Sequence, residues 1–327
     1  MRKHWIAVVV LLVATTTFTT ITRAQVNRDI NSYVLFAYDQ LVFKGGDTNA
    51  GWGHIVGGNI GVNYPGMSGL DLAFATSGSA IMSDGSQAVA DSVRADAGGS
   101  FYDLYANSLN LSFAATIRHG GTNITYTPTP IIPTGLLPVL PFTPGRALTD
   151  TAGSLTVATG GSFTFTAGTP YQDVRINDNA TVTFGAGTFD IRNLSIGMNV
   201  TVIVDDNTIL QIDQKFDPNN GLKFGLGTSS GAHVYVGAFG LSLTTAAIAF
   251  SSGAEVHGQF FSPTGFLNLG GESQLYGHYW AEVIKGDANV NVTFVPEPGT
   301  FALVGMSLVG LISIVSRRMA RTANRRS

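Results

Sequence analysis

From residue 147 to 294 apolar and polar positions alternate in runs of three to six residues, punctuated by glycine. Val234-Tyr235-Val236-Gly237, Ile248-Ala249-Phe250, Phe266-Leu267-Asn268-Leu269-Gly270 and Val283-Ile284-Lys285-Gly286 are such runs. Alternation with a period of two describes strands that bury one face. The runs also recur. Asn179-Ala180-Thr181-Val182 returns as Asn199-Val200-Thr201-Val202, and Val256-His257-Gly258-Gln259-Phe260-Phe261-Ser262 returns as Leu275-Tyr276-Gly277-His278-Tyr279-Trp280-Ala281. A repeat near 20 residues matches one rung of a parallel β-helix, which hydrogen-bonds to the rungs above and below. An antiparallel sandwich needs hairpin dipeptides between its strands, and Asp84-Gly85 and Asn220-Gly221 are too few. The pattern predicts an all-β chain wound as a right-handed parallel β-helix, with its coils at 147–294.

The first half is less regular. Ile30–Phe43 has a period ambiguous between helix and strand. It is expected to act as an N-terminal capping segment over an exposed sheet edge, with the first β coils filling the rest of 25–126. Gly51–Gly61 superficially suggests a phosphate loop but fits neither phosphate-binding spacing, so tight turns between short strands are expected. Between 127 and 146 lies a proline-rich arm holding six of the chain's twelve prolines, together with Ile131, Ile132, Leu136, Leu137, Val139, Leu140 and Phe142. Such a segment is extended and semi-rigid, and its apolar side chains should lie against a neighbour.

Both ends read as addresses. Residues 1–24 have the form of a secretory signal: Arg2 and Lys3, the apolar core Trp5–Ala14, then small residues at Thr22 and Ala24. Residues 295–327 begin at Val295-Pro296-Glu297-Pro298. They continue through a 15-residue uncharged run, Phe301–Val315, and end in Arg317, Arg318, Arg321, Arg325 and Arg326. The run predicts a short C-terminal transmembrane helix, below the ~20 residues of a full span, with the arginines held cytoplasmic.

Pro296-Glu297-Pro298, the apolar run and the arginine cluster resemble the PEP-CTERM sorting signal of Gram-negative bacteria. That resemblance implies recognition by a membrane-embedded exosortase, cleavage near the tripeptide, and delivery to the cell surface or an exopolysaccharide matrix. Arg317 and Arg318 match the start of its basic tail. More loosely, the body resembles glycine-punctuated β-helical surface proteins of such bacteria, which implies one continuous domain from about 26 to 294.

Composition narrows the chemistry. The chain has no cysteine, which excludes disulfides and thiolate zinc sites. Glycine, 40 of 327 residues, is well above its usual ~7% share. Removing the basic residues of both ends leaves ten Lys+Arg against 21 Asp+Glu, a body charge of about −11. Such a balance argues against nucleic-acid binding and leaves divalent cations and basic partners open.

Candidate sites are sparse. Tyr276, His278, Tyr279 and Trp280 make a ring-rich rung able to stack on sugar faces, although such residues more often fill a core. Asp205, Asp206 and Asp213 offer oxygen ligands to Ca²⁺ but lack a calcium-loop spacing, which favours a solvated turn. His257 and His278 fall on adjacent rungs without a third metal ligand. No catalytic motif is present, so no catalytic residue is assigned. Three functions follow as expectations. The first is a non-catalytic surface or matrix protein associated with exopolysaccharide. The second is a β-helical polysaccharide lyase or hydrolase, which needs acids grouped across rungs. The third is an ice- or crystal-binding surface, which needs Thr-x-Thr steps on every rung.

Overall fold

The computed structural model describes residues 29–44, 53–62, 74–77, 80–95, 99–106, 108–111, 115–119, 139–146, 148, 153–226 and 231–295. The signal at 1–24, the sorting signal from Pro296 onward and most of the proline-rich arm lie outside the described residues. Among those described, no helix is long and apolar enough to cross a membrane.

The recurrence of Asn179 and Asn199 has a backbone cause. Both adopt left-handed conformations, with φ of 58° and 54°, which asparagine tolerates better than most residues. Each turns the chain at one corner of the coil. The same corner is made by Gly160, Gly221, Gly253, Glu272 and Asn289 on other coils. Successive corners are hydrogen-bonded, as in Asn179 N–H to the Met198 carbonyl (2.8 Å) and Asn199 N–H to the Asn220 carbonyl (2.9 Å). The residue after most of these turns points inward: Ala180, Val200, Leu222, Ala254 and Val290 are all buried.

Among the described residues every strand pairing is parallel, so the fold is a β-solenoid, as the spacing predicts. Thr181 faces Thr201, and Gly258 faces Gly277, in the registers the two recurrences imply. Longer strands such as Gly187–Ile196 and Thr208–Pro218 cross two sides of the coil through an irregularity, while short strands such as Thr181–Phe184 and Thr201–Val204 make a third side. Inward side chains stack from rung to rung. Phe165 lies flat on Phe184 at 4.1 Å, and Phe260 on Tyr279 at 5.5 Å.

The order of coils in space is not their order in the chain. From one tip the stack runs Leu155–Val157, Tyr171–Ile176, Gly187–Ile196, Thr208–Pro218, Ala232–Val236, Glu255–Leu269 and Gln274–Gly286. It then continues with Tyr33–Lys44, Asn59–Val62, Gln87–Val89 and Asp103–Tyr105. The expected N-terminal cap is therefore corrected: Tyr33–Lys44 is an interior strand, paired on one side with Gln274–Gly286 and on the other with Asn59–Val62 and Phe74–Ser77. A strand hydrogen-bonded along both edges has no edge left to cover. Chain entry thus falls in the middle of the stack, at a seam between the two halves.

Gly145 and Arg146 of the arm are held on the C-terminal half. Gly145 N–H donates to the Asp213 carboxylate (2.7 Å). Arg146 pairs with Asp190 (2.7 Å), donates to Gln211 (3.0 Å) and lies over the Phe142 ring. Leu140 packs against the aromatic cluster described next.

Candidate functional site

Alternation along the strands turns Val234, Phe260 and Tyr279 inward, and therefore Tyr235, Phe261 and Trp280 outward. Register aligns these three, with Phe36 continuing the column across the seam. An outward aromatic ladder would ordinarily meet water. Here Phe261 is 3% and Trp280 5% exposed, because a second apolar cluster has formed outside the solenoid. Ile30 covers it from the short 3₁₀ turn Ile30–Ser32, whose start is capped by Asp29 accepting from Asn31 N–H (3.1 Å). Leu140 of the arm packs on it as well.

Two donors fix the chain entry to this ladder. Trp280 Nε1–H and His278 Nδ1 both bond the Tyr33 carbonyl, at 3.0 and 2.9 Å. A carbonyl only accepts, so His278 carries its proton on Nδ1. Beside the aromatic column runs a polar one, His233, Gln259 and His278, in the same registers.

Between the two columns opens a cleft of about 130 Å³ lined by Asn31, His233, Tyr235, Gln259, Phe261 and Trp280. Burial pushes the Tyr235 phenol up, so it stays a neutral hydrogen-bonding group. The cleft is well below the ~300–1,000 Å³ of an enclosing small-molecule pocket. Phe261 and Trp280, almost covered, form its floor, and the partly exposed Tyr235 ring beside an imidazole and two amides suits one amphipathic ring, apolar on its face and hydroxylated at its rim.

Compared with known proteins, the chain matches no family model, no curated protein and no solved structure. Function therefore rests on the geometry.

The ring-rich rung expected from sequence is divided by the fold. Trp280 lines the cleft. Tyr279 points into the solenoid, is 0% exposed and donates its hydroxyl to the Val256 carbonyl (3.1 Å), which leaves no ring face for a sugar. His278 is buried against Tyr33. Tyr276 is partly exposed on a different side, stacked on His257 at 4.3 Å. Burial holds the His257 pKa below its usual value, partly offset by Glu255. Tyr235, Gln259, His233 and Asn31 are not among the site residues expected from sequence, where Tyr235 and Gln259 figure only as strand positions. Aligning Tyr235 with Phe261 and Trp280 would have found the first, but Gly237–Thr245 lengthens that coil and hides the repeat.

Two of the three oxygen-ligand candidates accept backbone amides. Asp213, 2% exposed, holds the arm at Gly145, and Asp205 accepts from Ala186 N–H (3.0 Å). Neither these nor Asp206 belong to a group of three metal-capable side chains, of which the described residues hold none. Asp39 and Glu282 do approach one another, although far apart in sequence. Tyr38 and Asp39 bulge where strand Tyr33–Lys44 passes Glu282, and the Glu282 carboxyl is pushed up by burial and then by Asp39.

Proposed function

We propose that the chain is an exported, non-catalytic protein of the cell surface or extracellular matrix that holds exopolysaccharide. In this reading an exosortase processes it at Pro296-Glu297-Pro298, and a C-terminal helix anchors it in the inner membrane until then. Right-handed winding is the expected sense, since parallel crossovers are right-handed in about 98% of cases. The observation that carries the reading is the amphipathic cleft beside Trp280, sized for a single ring on the side of a rod. One such contact is weak, so many copies along one polymer, or many polymers on one surface, hold by avidity.

Two features bear on the rival readings, one against and one in favour. Outward threonine ranks suited to a crystal surface run Ser162, Thr181, Thr201 and Thr164, Thr183, then give way to Lys223 and Ile203. For hydrolysis or elimination, the favourable observation is the Asp39–Glu282 pair with one carboxyl shifted upward. The test is incubation of the surface-extracted protein with the host's exopolysaccharide and common polyuronates. Retention on polymer without chain cleavage is the expected result. Cleavage lost in Glu282→Gln would establish the enzymatic alternative.

A further inference from the structure

Along the stack each coil passes to the next through its own backbone, except at the seam. There the C-terminal half ends and the N-terminal half begins without covalent continuity. The joint is nonetheless a complete coil-on-coil contact. Register runs from Leu35 opposite Tyr279 to Phe43 opposite Gly286, and from His54 opposite Asn291 to Val56 opposite Thr293. His54 N–H donates to the Val290 carbonyl (3.1 Å), Phe294 N–H to the Val56 carbonyl (2.8 Å), and Trp280 to Tyr33. Rings finish the joint: Phe36, Tyr33, Phe261 and Trp280 share one buried cluster.

The only covalent link between the halves is residues 120–152, of which Gly145 and Arg146 are held on the C-terminal half while Leu140 packs on the cluster that both halves share. The remaining tether, residues 120–138, is 19 residues long. It reaches up to roughly 60 Å when extended, enough to cross to a molecule lying alongside. A tether of that length holds the two halves at an effective concentration on the order of millimolar. Dilute molecules therefore close on themselves, and molecules crowded to that concentration have an equal choice of partner.

We propose that the seam is an interaction surface for a second copy of this chain. The C-terminal half of one molecule seats on the N-terminal half of another through the same registers that close the monomer. Reciprocal exchange gives a two-fold dimer, and onward exchange gives an open chain of solenoids. No new contact has to be made, because the monomer's own seam supplies every residue. Opening it exposes the aromatic cluster to water, so exchange takes place during folding and the product is kinetically trapped. This inference does not depend on the polysaccharide reading.

The cysteine-free chain allows a direct test. Ala37 and Ala281 face each other across the seam and are both buried. Parallel neighbours lie roughly 4.8 Å apart, within the Cα separation a disulfide accepts. The full chain carrying Ala37→Cys and Ala281→Cys is refolded at micromolar and at near-millimolar concentration, then oxidised and run without reductant. The expected result is an internally linked monomer when dilute and at least tenfold more reducible dimer and ladder when concentrated. Internal linkage alone at both concentrations overturns the proposal, as does equal dimer formation by Ala37→Cys alone. In a second arm, unsubstituted chains with two different tags are refolded together, or separately and then mixed. Co-purification after thousandfold dilution is expected only for chains refolded together, and its absence there counts against exchange.

Discussion

Gly277 lies directly opposite Gly258, and its φ of +127° places a would-be Cβ against the Gly258 carbonyl oxygen. Both the backbone angle and the space exclude a side chain. Gly277→Val should destabilise the solenoid by more than ~1 kcal/mol, read as a lower urea midpoint at unchanged slope. An unchanged midpoint would mean that the neighbouring rung yields to the new side chain.

The corner asparagines make a sharper comparison, because their demand is conformational rather than steric. Asn199 sits at φ 54° on a hydrogen-bonded column of turns. Asn199→Val forces a β-branched residue into the left-handed region and should cost about 1–2 kcal/mol. Asn199→Gly, which accepts that angle freely, should stay within about 1 kcal/mol of the parent. Equal losses from the two substitutions would assign the role to the amide group instead.

How far the fold is legible follows from these same turns. Between Tyr171 and Val204 the coils carry no insertions, so Asn179 and Asn199 return at a fixed interval and betray the rung. Lys223 pairs with Glu255 only after the long Gly237–Thr245 excursion, which no fixed period detects. Beyond Tyr33–Lys44 the N-terminal half is built of strands of two to four residues, such as Gln87–Val89 and Ser92–Ala95, too short to reveal a repeat. The seam is invisible for a different reason. Leu35 pairs with Tyr279 through tertiary packing alone, and local patterning encodes which face is buried but not which distant strand lies above it. Hence Tyr33–Lys44 reads as a cap, and Tyr279 and Trp280, on opposite faces of one strand, read as one aromatic surface.

Asp213 tests how the arm is held. Its buried carboxylate receives Gly145 N–H at 2.7 Å, while Arg146 is paired separately with Asp190. Asp213→Ala strips the partner from that amide and should cost about 1–3 kcal/mol. Amide exchange at Gly145 should speed up at least tenfold. Unchanged exchange would transfer the anchoring role to the Arg146–Asp190 pair.

Glu282 should give stability an acid-favouring component. Its carboxyl is raised above the ordinary 4.5 by burial and by Asp39. The folded state then binds this proton more tightly than the unfolded chain does. The contribution is fully present below pH 4.5 and is lost as pH rises through the shifted value. Glu282→Gln removes the charge that is costly at neutral pH. Its thermal midpoint should exceed the parent's at pH 7, and the gap should close as pH falls below 4.5. A gap of constant size across that range would trace the gain to packing rather than ionisation.

If the rod holds polymer as proposed, comparing two tyrosines decides which side meets it. Tyr235 borders the cleft and meets Phe261 edge-on at 6.1 Å, whereas Tyr276 stacks on His257 on another side of the coil. Both are partly exposed, and neither makes a hydrogen bond that anchors the chain entry as Trp280 does. Removing the Tyr235 ring deletes one wall of the cleft. An aromatic contact is worth about 0.5–1.5 kcal/mol beyond its buried area, so each site should weaken roughly two- to tenfold in Tyr235→Ala. Where several copies engage one polymer the loss compounds, and elution from an exopolysaccharide column should move earlier by more than the single-site factor. Tyr276→Ala should elute with the parent. The reverse ranking, with Tyr276→Ala eluting first, would move the contact to the side that carries His257 and leave the cleft beside Trp280 as packing only.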